Sequence, residues 1–120
     1  MFKGARAHSD ETVLRCQDLL ETDYARLHVD DLGRRVGLSD RSIRRRFQLA
    51  VGMTPHEYLR RARVEAARRQ LERTDRTVFE VMDSVGYADR KAFAQTFREV
   101  TGLGPAAYRK THSVRVLATR

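Results

Sequence analysis

A chain of 120 residues, 41% apolar and 33% charged, can bury one real core but is too short for two domains framing a deep catalytic cleft. Its 24 Lys and Arg against 16 Asp and Glu leave a formal charge of +8, which calls for an anionic partner. No run approaches the roughly 18 apolar residues of a membrane span, and residues 1–8 lack the apolar stretch of a signal peptide, so a cytoplasmic protein without membrane attachment is expected.

In chain order, residues 1–8 read as a flexible lead. Ser9 or Asp10 is placed to cap a first helix reaching about Thr22, with Val13, Cys16, Leu20 and Tyr24 on its inner face. Cys16 is the sole cysteine and cannot form an internal disulfide. Its spacing from Val13 and Leu20 reads as a small buried side chain rather than a redox sensor. Val29, Leu32 and Val36 mark a short second helix ended by Gly37. Ser39 is a good N-cap for a third, with Ile43, Phe47 and Ala50 or Val51 facing inward and Gly52 as the stop.

Thr54-Pro55-His56-Glu57 combines a capping-box pattern with proline in the first helical turn, predicting a long fourth helix to about Glu72. Thr77 and Glu80 repeat the box before a fifth helix through Val78, Val81, Met82 and Val85, closed by Gly86. Asp89 caps a sixth with Phe93, Phe97 and Val100 inward. Pro105 opens a last short turn of helix to Tyr108, and residues 111–120 read as a frayed tail. No alternating strand pattern occurs, so the fold class is all-α. The implied organisation is a first helical subdomain over 9–53, a linker helix over 54–73 and a second subdomain over 74–110.

The chain also repeats itself at a period of about 50 residues. Val36-Gly37-Leu38-Ser39-Asp40-Arg41 is echoed by Val85-Gly86-Tyr87-Ala88-Asp89-Arg90, and Phe47, Gly52, Pro55 and Tyr58 recur as Phe97, Gly102, Pro105 and Tyr108. Each copy is a short helix, a glycine turn and a capped second helix, the arrangement that lays its second helix in the major groove of duplex DNA.

With Ile43 and Phe47 inward and about 100° of rotation per residue, Arg41, Arg44, Arg45 and Gln48 face away from the core. Arginine can bond guanine O6 and N7 bidentately, and glutamine adenine N6 and N7, so this face carries base-reading chemistry. Arg46 lies nearer the core and reads as a phosphate contact or a packing stem.

In the second copy Lys91, Ala94, Gln95 and Arg98 turn outward. Between residues 77 and 108 the cations Arg90, Lys91 and Arg98 face Glu80, Asp83, Asp89 and Glu99, whereas from Arg34 to Arg73 there are 12 arginines against four acids. The first copy is therefore expected to supply most of the phosphate attraction, and the second to add selectivity through Lys91 and Gln95.

A linker helix of about 18 residues would span roughly 27 Å, comparable once its flanks are added with the ~34 Å turn of the duplex. One monomer could then reach two successive grooves. Arg60, Arg61, Arg68, Arg69 and Arg73 on that helix read equally as phosphate contacts or as solvated surface arginines; Gln48 and Arg98 join Arg46, Arg60 and Arg61 as candidate phosphate contacts.

From about Val29 to Tyr108 the chain resembles the DNA-binding domain of AraC/XylS-type transcription regulators. The resemblance is carried by Leu38-Ser39, Ile43, Arg45, Phe47, Gly52, Thr54-Pro55, Tyr58-Leu59, Arg63, Ala67 and Leu71, then Val85-Gly86-Tyr87, Phe93, Phe97, Gly102, Pro105 and Tyr108-Arg109. It implies seven helices, two helix-turn-helix units joined by a rigid helix, and base reading by Arg41, Ser42, Arg44 and Arg45 on the third helix and Arg90, Lys91, Ala94 and Gln95 on the sixth. It also implies RNA polymerase as a partner, no cofactor, DNA binding by this domain as a monomer, and dimerisation of any longer protein through a further domain.

Several residues depart from the family pattern. Gly33 and Met82 stand where alanine is usual, Gln95 where arginine is frequent and Gly104 where serine commonly precedes the proline. Gly33 is expected to cost its helix up to about 1 kcal/mol relative to alanine. The stretches Arg15 to Glu21 and Ala62 to Asp75 are similar to regulators whose amino-terminal half resembles a DJ-1/PfpI amidotransferase-like domain, and a small stand-alone family member of about this length is the alternative.

Catalysis is not expected: His8, His28, His56 and His112 lack metal-ligand spacing, and there is no second cysteine, phosphate-cradling glycine loop or nucleophile elbow. The alternative to duplex DNA is a basic helical RNA-binding or protein-interaction module. Against RNA, Phe47, Phe93 and Phe97 occupy core positions rather than standing out for base stacking.

Overall fold

The computed structural model describes residues 5–114. They form seven α-helices and one 3-10 turn, with no strand among the described residues: α1 Glu11–Thr22, the turn Val29–Asp31, α2 Leu32–Val36, α3 Asp40–Val51, α4 Pro55–Arg73, α5 Val78–Ser84, α6 Arg90–Thr101 and α7 Pro105–His112. The all-α expectation holds, and six of the seven helices begin within two residues of the expected start.

Local chemistry accounts for the boundaries. Of the two candidate caps for α1, Asp10 takes the role: its Oδ1 accepts from the backbone N–H of Thr12 and of Val13, both at 3.1 Å. Ser39 caps α3 and Asp89 caps α6 in the same way. Thr77 and Glu80 form a reciprocal capping box at α5. The two helix-turn-helix corners each contain a glycine in the left-handed region, Gly37 at φ +76° and Gly86 at φ +96°, where a side chain would be strained.

The chain divides into two compact units, one reaching to Ala62 and the other beginning at Arg63, so the boundary falls inside α4. In the first unit α1 packs on α2 and α3, and α2 on α3. Val13, Cys16, Leu20, Leu27, Leu32, Ile43, Phe47, Tyr58 and Leu59 form its core. Burial also pushes the Cys16 thiol above its ordinary pKa, which leaves it protonated and inert. In the second unit α5 packs on α6 and α6 on α7, with Leu71, Val81, Met82, Val85, Phe93, Phe97 and Tyr108 buried.

The repeat is visible in the packing as well. Phe47 meets Tyr58 edge-on at 5.4 Å between ring centroids, and Phe97 meets Tyr108 edge-on at 5.3 Å. Each tyrosine hydroxyl then donates to a glutamate on the helix that opens its unit: Tyr58 to Glu21 of α1 at 2.8 Å, Tyr108 to Glu72 of α4 at 2.5 Å.

Three expectations need correction. The lead expected to be flexible through residue 8 is anchored from Ala5 onward. Ala5 is buried, Arg6 pairs with Asp18 at 2.8 Å and Glu21 at 2.6 Å, and His8 Nε2 lies 2.8 Å from Oε1 of the fully buried Gln17. Gln17 Nε2 donates in turn to the Ala5 carbonyl at 2.9 Å and the Tyr58 hydroxyl at 3.3 Å, so every polar atom of its amide is bonded.

The last helix is also longer than expected, running through His112, whose ring stacks on Tyr108 at 4.3 Å. The expected tail therefore begins later than Thr111, and its residues 115–120 lie outside the described residues. Finally, a Cβ on Gly33 would sit 2.4 Å from the Leu38 carbonyl oxygen. Glycine here is required by the close approach of the turn rather than merely tolerated.

Candidate nucleic-acid interface

The Ser39 cap fixes where α3 starts, and burial of Ile43 and Phe47 fixes which way it faces. Arg41, Arg44, Arg45 and Gln48 are consequently exposed. Together with Leu49 and Thr54 they line an open concavity of about 450 Å³. None of Arg41, Arg44 and Arg45 has an ion-pair partner among the described residues.

Five arginines of α4 have partners, whereas Arg73 in its last turn is exposed without an ion pair among the described residues. Arg60 Nη1 and Arg61 Nε lie 3.0 and 2.9 Å from the Glu57 carboxylate. Burial alone would raise the Glu57 carboxyl, but the hydrogen bonds from Arg60 and Arg61 outweigh it and hold the group below the usual range. Arg68 Nη1 lies 3.0 Å from Glu65, and its Nε donates to the Tyr108 hydroxyl at 2.9 Å. Arg69 is 3.9 Å from Glu65. Arg63 lies over the Tyr87 ring at 5.7 Å, and its burial lowers the guanidinium pKa.

Two candidate contacts on α3 are engaged within the fold. Arg46 forms two hydrogen bonds to Asp10, Nε at 3.0 Å and Nη2 at 2.8 Å. Ser42 is half-buried at the cap: its N–H donates to Ser39 Oγ at 3.2 Å, and its hydroxyl accepts from Ser39 at 3.0 Å.

In the second unit Lys91, Ala94, Gln95, Arg98 and Glu99 line an open concavity of about 430 Å³, with Arg90 exposed at the start of α6. Gln95 Nε2 donates to Glu99 at 3.2 Å. The structure therefore brings together Arg41, Arg44, Arg45 and Gln48 in one unit, and Lys91, Ala94, Gln95 and Arg98 in the other. It places Arg46, Arg60 and Arg61 in ion pairs. Sequence reasoning missed Leu49 and Glu99, although each follows an outward residue, Arg45 or Gln95, by one helical turn.

This geometry agrees with comparison to known proteins. The family described as a helix-turn-helix domain matches residues 32–111, and an AraC-like transcription regulator of Streptomyces lividans is 37% identical over 103 residues, 85% of this chain. The chain belongs to the AraC-type helix-turn-helix family. The AraC-type domain is 35% identical over 112 residues to the transcriptional activator NphR of a Rhodococcus species, which is 92% of this chain but 33% of NphR. The Streptomyces lividans match covers 34% of that protein, so the AraC-type domain spans about a third of the length of these relatives.

Among solved structures, the DNA-binding domain of the global transcriptional factor AdpA, determined in complex with a target DNA, superposes with a TM-score of 0.78 at 34% identity. That likeness covers 89% of the AraC-type domain and 96% of the AdpA chain. No helix among the described residues is long and apolar enough to cross a membrane.

Proposed function

We propose that this AraC-type domain reads duplex DNA as part of a cytoplasmic transcription regulator, placing α3 and α6 in two successive major grooves. The observation that carries the reading is the contrast in arginine pairing. Glu57 and Glu65 neutralise Arg60, Arg61, Arg68 and Arg69 of α4, while Arg41, Arg44 and Arg45 stand exposed together on a capped helix without an ion-pair partner among the described residues. Leaving three cations so close together is unfavourable in the free protein and becomes favourable against a polyanion.

On this reading Arg41, Arg44 and Arg45 bond base edges in the first groove, Lys91 and Gln95 do so in the second, and Ala94 lets α6 approach closely. Arg90 enters the same groove at the start of α6. Gln48 and Arg98 reach phosphates. Ser42 acts mainly through the cap, and Arg46, Arg60 and Arg61 hold the fold rather than the duplex. Two reading helices in one chain favour binding as a monomer, and contact with RNA polymerase follows from the family alone. The domain binds; no residue is assigned a catalytic role.

Fluorescence anisotropy against a duplex selected from a random library, a scrambled duplex and a structured RNA, each over a range of salt, tests the reading. The selected duplex should bind at least about 10³-fold more tightly than the scrambled one, with affinity falling as salt rises. Equal or tighter binding to the RNA overturns it.

A further inference from the structure

We propose that Leu49 is a specificity residue that contacts the C5-methyl of one thymine in the first major groove. The inference rests on the reading of α3 as a base-reading helix and extends it by one turn.

Leu49 is 80% exposed, the most exposed large apolar side chain among the described residues. It has no place in the core, whose α3 contribution comes from Ile43 and Phe47. At about 100° per residue the direction opposite those two falls on Arg45, with Arg41 and Leu49 each about 40° to either side. Leu49 thus points outward more directly than Arg44, and it lines the same concavity as Arg41, Arg44, Arg45 and Gln48.

The second unit has the same frame. The direction opposite Phe93 and Phe97 falls on Gln95, with Lys91 and Glu99 on its flanks, and Glu99 is the repeat counterpart of Leu49. There the third outward position is polar and accepts a hydrogen bond from Gln95 at 3.2 Å. In the first unit it is a leucine, which can neither bond a phosphate nor pair with a base edge. The only apolar group that a major groove offers is the thymine methyl. A methyl against Leu49 buries apolar surface on both sides, next to arginines that hold the helix in register.

The experiment starts from duplexes selected by the whole 120-residue chain out of a random library. Each thymine of the first element is replaced in turn by 2′-deoxyuridine, which keeps pairing and removes only the methyl. Dissociation constants are measured for the unaltered chain and for Leu49→Ala, whose exposed site should leave the melting temperature unchanged. At one position, loss of the methyl should weaken the unaltered chain about fourfold, the size expected for one methyl-sized apolar contact, and should not weaken Leu49→Ala further.

If every deoxyuridine duplex weakens both proteins equally, the inference fails while α3 reading stands. It fails likewise if Leu49→Ala leaves all duplex affinities intact and changes only self-association in sedimentation, which would make the leucine a contact between copies. If the library yields no enriched sequence, base reading by α3 falls and the inference with it.

Discussion

Arg46 and Asp10 join α3 to the cap of the first helix. The guanidinium of Arg46 donates from Nε at 3.0 Å and from Nη2 at 2.8 Å to the carboxylate of Asp10, which also accepts the N–H groups of Thr12 and Val13. One carboxylate therefore caps the start of α1 and ties it to α3.

Asp10→Ala removes both functions and should lower stability by about 2 kcal/mol, most of it the loss of the cap and the rest a half-exposed ion pair. Asp10→Asn keeps the cap and should cost less. The hydrogen bond from Arg46 is the main reason the Asp10 carboxyl is held below its ordinary pKa of 3.8. A lowered folded-state pKa gives stability that is complete above 3.8 and is lost as pH falls through the lower folded value. Urea midpoints for the unaltered chain and Asp10→Asn should therefore differ at neutral pH and converge in acid.

Gly33→Ala reverses the expectation drawn from helix propensity. An added Cβ would meet the Leu38 carbonyl oxygen at 2.4 Å, so the turn must shift. The overlap should outweigh the propensity gain and give a net loss of about 1–2 kcal/mol. Thermal melts decide this: a lower melting temperature is expected, and a higher one would mean that the turn relaxes without cost.

Arg44→Ala or Arg45→Ala should cost about 1–3 kcal/mol on a selected duplex and relax base preference at one position. Arg61→Ala, which disrupts only its pair with Glu57, should change affinity by less than about 0.5 kcal/mol. Binding titrations against single-base variants separate the two classes. An equal loss on every sequence for Arg44 or Arg45 would make those residues phosphate contacts.

Tyr58 supplies an alkaline counterpart. Burial, then the hydrogen bond to Glu21, pushes its hydroxyl up to about 12 from 10.0. A raised folded-state pKa gives stability that is intact below 10.0 and is lost as pH rises through about 12. Relative to the unaltered chain, Tyr58→Phe should be less stable at neutral pH, and the gap measured in urea should narrow across that window.

Much of this was legible in the sequence because the signals are local. Caps such as Ser39, Thr77 and Asp89 lie within three residues of the groups they bind, and the inward stripes of Ile43 with Phe47 and of Phe93 with Phe97 recur at helical spacing. What escaped depends on contacts between distant segments. Arg46 reads as a phosphate contact or a packing stem, and its true partner is unknown until Asp10, 36 residues away, is brought beside it. No local pattern marks Gln17 as buried, because the groups that enclose its amide, Ala5, His8 and Tyr58, lie 9 to 41 residues away. Gly33 reads as a poor helix former until the Leu38 carbonyl is found against it.

Hydroxyl-radical footprinting of the 120-residue chain on a selected duplex tests the central claim most directly. Two protected patches about one helical turn apart are expected, with only the second fading in a Lys91→Ala, Gln95→Ala variant that melts normally. A single short patch, identical with and without those two side chains, would contradict it.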